Sequence, residues 1–439
     1  MSTLTAIPTR PTARTAAIAA LPVSFAGRAV AGWGRRLAGA DRAEVSAEAM
    51  ERNAEQLFAV LGRLKGGAMK VGQALSVYEP MIPAGFAGPY REALEKLQDS
   101  APTMPAREVH RVLAGQLGRD WPRRFREFSD TPAAAASVGQ VHRAVWHDGR
   151  EVAVKVQYPG AADALDADLR TLQRFAGLFS LLAPALDARA VLAELRSRML
   201  DELDYRAEAD RQRTFAAGLE GDLVAPRVVA SAPTVIVGEW LDGVPLRDVL
   251  GAGGCAATRD RYAHAIVETV VSSPARFGLL HADPHPGNVL VLRDGRLALI
   301  DFGAVAELPG GFPPGLARLL THLADGDAAA MLFELKAQGF AGPGVTADEV
   351  LRYVGALADP LRHRHFHLHR EWLRRQGERM VDPRGRAFWE TGRRLALPPE
   401  HLLVVRVLSG WLNILAQLDC TVGLRGLAQR WVPGFTPVA

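Results

Sequence analysis

The sequence predicts an α+β chain of two lobes, the smaller one rich in strands and the larger mostly helical. Three observations carry this expectation. Hydrophobic periodicity changes from helical to alternating near residue 124. The dipeptide Asp148-Gly149 punctuates two alternating runs, as a hairpin turn does. After Gly243 the pattern is mostly helical to the end, interrupted by "NVLVLRDGRLALIDFG", which reads as strand, Asp-Gly turn, strand.

The elements follow in order. Leu57, Leu61, Leu64 and Ala68 recur on one face of an amphipathic helix. Further helices fit "PYREALEKLQDSAP" and "PAREVHRVLAGQLG", the second ended by Gly118. "VGQVHRAVW" and "REVAVKVQY" are the strands of the hairpin. A long helical stretch from about 162 to 219 is broken near Pro184, and it carries "DELDYRAEADR", where Glu202, Tyr205 and Glu208 would share a face. Two more strands fit 226–230 and 234–238. The apolar stretch "HLLVVRVLSGWLNILAQL" (401–418), interrupted by Arg406, suits a helix that is buried or lies against a membrane surface. No apolar run reaches the ~18 residues of a spanning helix.

A chain of 439 residues with 48% hydrophobic content is long enough for two lobes. Lys+Arg 52 against Asp+Glu 48 leaves the overall charge uninformative, but its distribution is not. Five arginines (Arg10, Arg14, Arg28, Arg35, Arg36) and no acid precede Asp41, a run that can seek the anionic headgroups of a membrane. "AAIAALPVSFAG" within it resembles a signal peptide, a reading set aside because the downstream motifs ask for ATP. The two cysteines, Cys255 and Cys420, have neither metal spacing nor a disulfide framework, which suits a reducing, cytoplasmic setting. Nothing calls for a nucleic-acid partner.

The chemistry-bearing residues stand in one order. The protein-kinase glycine loop G-x-G-x-x-G-x-V has its spacing matched by Ala134, Ala136, Gly139 and Val141, with alanine in place of the first two glycines. Lys155 ends "VAVK" on the next strand. "HADPHPGN" repeats the catalytic-loop spacing H-x-D-x-x-x-x-N with His281, Asp283 and Asn288, and Asp301-Phe302-Gly303 follows. Phosphoryl transfer needs a carboxylate to orient the acceptor, which suits Asp283, and oxygen ligands for magnesium, which suit Asn288 and Asp301. Lys155 needs a carboxylate partner to aim it at phosphates, and Glu202, Asp204, Glu208 and Asp210 are candidates. By position, the backbone at Glu239 and Leu241 would bind the adenine edge of ATP or ADP, with Val141 over the ring. Alanine penalises the positive φ that glycine allows, so "AAAAS" should be stiffer than a glycine loop and poor at ordinary protein phosphorylation.

These motifs resemble the UbiB/ADCK family of atypical kinases. "KVGQ" (Lys70 to Gln73) matches its K-x-G-Q signature, and "AAAAS" (Ala133, Ala134, Ala135, Ala136, Ser137) its alanine-rich nucleotide loop. "ELD" (Glu202 to Asp204) matches its E-x-D motif, and "HADPHPGN" its catalytic loop. The resemblance implies a two-lobed protein-kinase-like fold with an N-terminal helical extension packed on the cleft. It implies that Lys70 pairs with an acid of E-x-D, that Glu208 pairs with Lys155, and that the activity is ATPase-like and tied to a quinone or lipid ligand at a membrane. The expected order is a basic, membrane-contacting segment over 1–40, the helical extension over 41–123, a strand-rich lobe with inserted helices over 124–240, and a helical lobe over 241–439.

Two other readings of the motifs remain. One is a non-catalytic, nucleotide-responsive module that binds lipid or assembles partners. The other is a small-molecule phosphotransferase of the aminoglycoside type, which shares the catalytic-loop logic but leaves "KVGQ" without a role. "RHRHFHLHR" places His363, His365, His367 and His369 at alternate positions, which in a strand would resemble metal ligands. Its flanks read as helix or loop, so a surface segment is expected.

Overall fold

A computed structural model describes residues 103–136, 138–163, 166, 170, 203–249, 254–381, 394–395 and 399–438. The expected extension up to residue 102, with Lys70 and Gln73, the break at Pro184, and the residues Ser137 and Glu202 lie outside the described residues. The chain forms two compact units: Met1–Val112, Asp130–Val141 and Val156–Leu203 make one, and Leu113–Ser129, His142–Lys155 and Asp204–Ala439 the other.

Helix α1, Ala106–Leu117, buries Val109 and Leu113 one turn apart and ends at Gly118, whose φ of +91° an L side chain would resist. Strands β1 (Phe125–Ala136), β2 (Gly139–Trp146) and β3 (Glu151–Gln157) follow. The expected hairpin turn is there, with Gly149 at φ +96°. Next come α2 (Tyr205–Gly218), the two-residue β4 (Leu223–Val224), β5 (Val228–Ala232) and β6 (Val235–Glu239). The five-stranded sheet runs in the order β1-β2-β3-β6-β5.

Three expectations are corrected here. The alanine segment is not a loop: Ala133 to Ala136 continue β1 as strand. The pair expected at 226–230 and 234–238 sits one to two residues later, with a register irregularity between Val228 and Ala230. And α2 starts only at Tyr205, because the Asp204 carboxylate accepts from the N–H groups of Arg206 and Ala207 at 3.0 and 3.2 Å and caps it. Glu202 therefore precedes the helix whose face it was expected to share with Tyr205 and Glu208.

In the first unit, Gln140 grips the main chain of Met104. The Met104 N–H donates to its Oε1 at 2.8 Å, and its Nε2 donates back to the Met104 carbonyl at 3.3 Å. His110 and Asp130 meet at 2.6 Å, and the Tyr158 N–H donates to the Val138 carbonyl at 2.9 Å.

The second unit continues with β7 (Gly243–Pro245), α3 (Leu246–Val249) and the long α4 (Ala256–Phe277), which ends at left-handed Gly278. Strand β8 (Leu279–His281) leads into a 3-10 turn over Pro286–Asn288, then β9 (Val289–Leu292), β10 (Leu297–Leu299) and β11 (Val305–Glu307). Helices α5 (Pro314–Asp325), α6 (Ala328–Ala337), α7 (Ala347–Val354) and α8 (Asp359–Arg362) precede β12 (Phe366–Leu368) and α9 (Arg370–Val381). The described chain closes with α10 (Pro399–Leu418), β13 (Cys420–Val422) and α11 (Leu424–Trp431). Strands β4, β10, β9 and β7 form one sheet in that order; β11–β8 and β12–β13 are antiparallel pairs.

The region after Gly243 thus holds more strands than periodicity predicts, each only three or four residues long. The histidine segment contains one of them: Phe366–Leu368 pairs with Cys420–Val422, while its flanks are helical and His363, His365 and His367 are exposed, as a surface segment requires. Among the described residues, no group of three or more His, Cys, Asp or Glu is placed to hold a metal. The stretch 401–418 takes the buried alternative. Val404, Val407, Trp411, Ile414, Leu415 and Leu418 of α10 enter the main core with Phe215, Leu280 and Phe302. Among the described residues no helix is long and apolar enough to cross a membrane. A smaller core, Met331, Leu335, Phe340, Val345 and Val350, gathers α6 and α7.

Candidate functional site

Alternation along β3 buries Val152 and Val154 and turns Lys155 to the other face. There its Nζ lies 2.6 Å from Glu208 Oε1 and 3.8 Å from Asp301 Oδ2, and 5.0 Å from the ring centre of Tyr205. Both partners are largely buried, the side chains being 18% and 3% exposed. Burial works against a charged ammonium, but the Asp301 and Glu208 carboxylates outweigh it and hold the Lys155 pKa well above its ordinary value. Lys155 is therefore a fixed cation, aimed by a carboxylate on one side and facing the Asp-Phe-Gly aspartate on the other.

Among the described residues, the other acids of "DELDYRAEADR" have different work. Asp204 caps α2, and Asp210 pairs with Arg213 at 2.6 Å on the surface. One turn beyond Glu208, Arg211 Nη1 donates to the Gly303 carbonyl at 3.3 Å. Helix α2 thus supplies both the partner of Lys155 and a tie to the Asp301 turn. Arg211 is not among the residues the motifs single out; its place three residues after Glu208, on the same helical face, is the signal in the sequence that marks it.

The catalytic-loop motif begins where β8 ends. His281 Nε2 donates to the Asp301 carbonyl at 2.7 Å, which fixes that nitrogen as the protonated one. The Ala282 N–H donates to the Ala304 carbonyl at 2.9 Å. Asn288 Nδ2 donates to Asp283 Oδ2 at 2.7 Å, and the Gly303 N–H donates to Asp301 Oδ1 at 2.9 Å. Phe302 is fully buried, with ring centres 5.2 Å from Phe215 and 5.8 Å from His281. Motifs twenty residues apart are locked together by one histidine.

At the end of β6, the Glu239 N–H donates to the Arg227 carbonyl at 2.9 Å, and Glu239 Oε2 accepts from the Arg227 N–H at 3.0 Å. The side chain takes the bond that a regular ladder would give to the carbonyl of Glu239. Of the backbone polar groups assigned to adenine at Glu239, the N–H is already spent. Leu241 follows two residues on, in the segment leading to β7. Ala134 and Ala135 are exposed on β1, while Ala136 and Val141 are half-buried.

The model of the ABC1 atypical kinase-like domain matches residues 96–335. The chain belongs to that family. This is the UbiB group of atypical kinases that the motifs resemble. Among similar proteins is the Caenorhabditis elegans atypical kinase coq-8, mitochondrial, 28% identical over 86% of this chain and 50% of its own length. The Dictyostelium discoideum probable serine/threonine-protein kinase abkA is 32% identical over 60% of this chain and 48% of its own. The chain spans about half the length of the curated relatives it matches. A solved complex of Rv3197 with erythromycin from Mycobacterium tuberculosis is 45% identical, with a TM-score of 0.67, over 90% of this chain and 99% of that one. An ABC1 domain is kinase-like, and nucleotide binding goes with that family.

Proposed function

We propose that this ABC1 protein binds magnesium–adenine nucleotide and acts on its terminal phosphate, as an ATPase-like atypical kinase serving quinone or lipid metabolism at a membrane. The observation that supports it is the Lys155–Glu208 pair with Asp301 3.8 Å away. In this reading Lys155 holds the α- and β-phosphates, Asp283 orients the acceptor, and Glu239 and Leu241 receive the adenine edge.

The donor set fits magnesium. Asn288 spends its amide N–H on Asp283, which presents its carbonyl oxygen as the ligand atom, and Asp301 adds a carboxylate oxygen. The chemistry magnesium would supply there is neutralisation of charge across the β- and γ-phosphate oxygens. The all-alanine end of β1, held extended, lacks the positive-φ freedom of a glycine loop, which supports hydrolysis or a small acceptor over protein phosphorylation. In the family's pattern Lys70 would pair with an acid of Glu202–Asp204 and close the peptide route; Asp204 is already committed as a helix cap, which leaves Glu202 to meet it.

The test is nucleotide binding and phosphate release by the purified chain, with and without liposomes or a quinone-like phenol. Magnesium should be required for thermal stabilisation by ADP or ATP, and Asp301→Asn should weaken that magnesium-dependent stabilisation. Stabilisation of the variant equal to wild type at every magnesium concentration would remove Asp301 from the site. Similarity to Rv3197, in complex with erythromycin, favours a second reading as a receptor for a bulky amphipathic small molecule. A macrolide that stabilises the chain without nucleotide would support it.

A further inference from the structure

Helix α10 lies outside the residues that match the ABC1 domain, yet it meets the catalytic loop at two points. Trp411 Nε1 donates to the His281 carbonyl at 3.4 Å. At the neighbouring residue, a Cβ built on Gly410 would overlap Cγ of Pro284 outright and stand 3.1 Å from its Cβ. Glycine inside a helix is less favourable than alanine, so its presence here needs a cause. Gly410 is not a left-handed residue, and what it supplies is room: the Pro284 ring occupies the space a side chain would take.

Asp283 is thereby bracketed. The carbonyl two residues before it is held by Trp411, and the ring immediately after it rests on Gly410. Trp411 is itself buried, beside Val407 and Ile414 of the same helix, so the seat belongs to the main core. On its other side the loop is tied to the Asp-Phe-Gly turn through His281 and Ala282. The loop is clamped from both sides, and only one clamp comes from the motifs themselves.

We propose that Gly410 and Trp411 are positioning residues that set where the Asp283 carboxylate stands. This deepens, and rests on, the reading of Asp283 as the group that orients the phosphoryl acceptor. It makes helix α10 a support of the catalytic loop although the family match ends well before it.

The experiment uses the full chain with Gly410→Ala, Trp411→Phe and a control, Gly426→Ala, where an added Cβ meets open space in α11. Amide hydrogen exchange over the loop peptides and nucleotide turnover are read together, beside affinity for magnesium–ADP. Gly410→Ala should speed loop exchange and lower kcat, each by about tenfold or more, while the affinity for magnesium–ADP moves less than about threefold. Trp411→Phe should do the same to a smaller extent, and the control should match wild type. Adding Pro284→Ala to Gly410→Ala removes the overlapping Cγ and should recover most of the lost turnover. Loop exchange and turnover unchanged in Gly410→Ala would overturn the proposal. So would affinity and turnover falling in step with the melting temperature, since that marks general loss of structure. A wild-type chain with no turnover sinks the phosphoryl-transfer reading instead, and loop exchange in the variants then decides the seat by itself.

Discussion

Lys155 and Glu208 come from positions 53 apart in the sequence and meet at 2.6 Å with little water around them. Removing one member of a buried pair strands the charge of the other, typically at about 3–5 kcal/mol. Lys155→Met should therefore lower unfolding stability by an amount of that order in urea titrations, as well as weakening nucleotide binding. The pH dependence has a definite sign. Because the folded pKa of Lys155 is raised, its contribution is fully present below the ordinary value of 10.5 and is lost only as pH rises through the higher folded value. The stability difference between wild type and variant should not close as pH rises from about 6 to about 9. A difference that shrinks as pH rises within that interval would mean the lysine is not held as a cation by Asp301 and Glu208.

Individual elements depend on their ends. Helix α7 opens with a reciprocal capping box: the Glu349 N–H donates to Thr346 Oγ1 at 3.3 Å, and the Thr346 N–H donates to Glu349 Oε2 at 2.9 Å. Arg394 Nη2 reaches the other Glu349 oxygen at 2.6 Å. The Thr346 backbone N–H, with Arg394 next, lowers the Glu349 pKa from 4.5 to about 2. A depressed carboxylate stabilises above its unfolded pKa and loses that contribution as pH falls through its folded one. Glu349→Gln should therefore be less stable than wild type at neutral pH, the gap closing between pH 4.5 and about 2. Thr346→Ala should lower stability by ~1 kcal/mol, the usual cost of losing a cap. Thermal melts across that acid range check both, and a gap that widens on acidification would contradict the assigned cause.

Across the whole molecule, the overall charge of +4 hides a segregated one. The five arginines before Asp41 can each draw on anionic headgroups for ~1 kcal/mol near the surface. Ile18, Leu21, Val23 and Phe25 stand beside them in sequence to add apolar contact. The proposed membrane association is accordingly peripheral and salt-sensitive. In flotation with anionic vesicles, the full chain should rise at low salt, and a chain beginning at Asp41 should rise less. Equal flotation of the two would move the contact elsewhere, and flotation of neither would remove the membrane from the proposal.

What the sequence determined by itself is what short-range rules govern. Asp-Gly at 148–149 and 294–295 marks two turns between strands, Gly118 ends a helix, and the spacings around Lys155, Asp283, Asn288 and Asp301 mark the atypical kinase-like family, because turns, helix ends and motifs are set by neighbours a few residues away. The tertiary structure decided the choice among equals. Four acids between 201 and 211 were candidates for Lys155; among the described ones, Glu208 meets it because Asp204 is drawn to the start of α2 and Asp210 to Arg213. The alanine segment extends as strand because β2 is there to pair with it, against the expectation of a loop. Strands as short as β8 and β12 carry no periodicity, and they exist because β11 and β13, some 25 and 50 residues away, complete their hydrogen bonds. The same holds for Gly410, which in sequence is a weak point in an apolar helix. Its reason is a proline ring 126 residues earlier in the chain, a neighbour that only folding could supply.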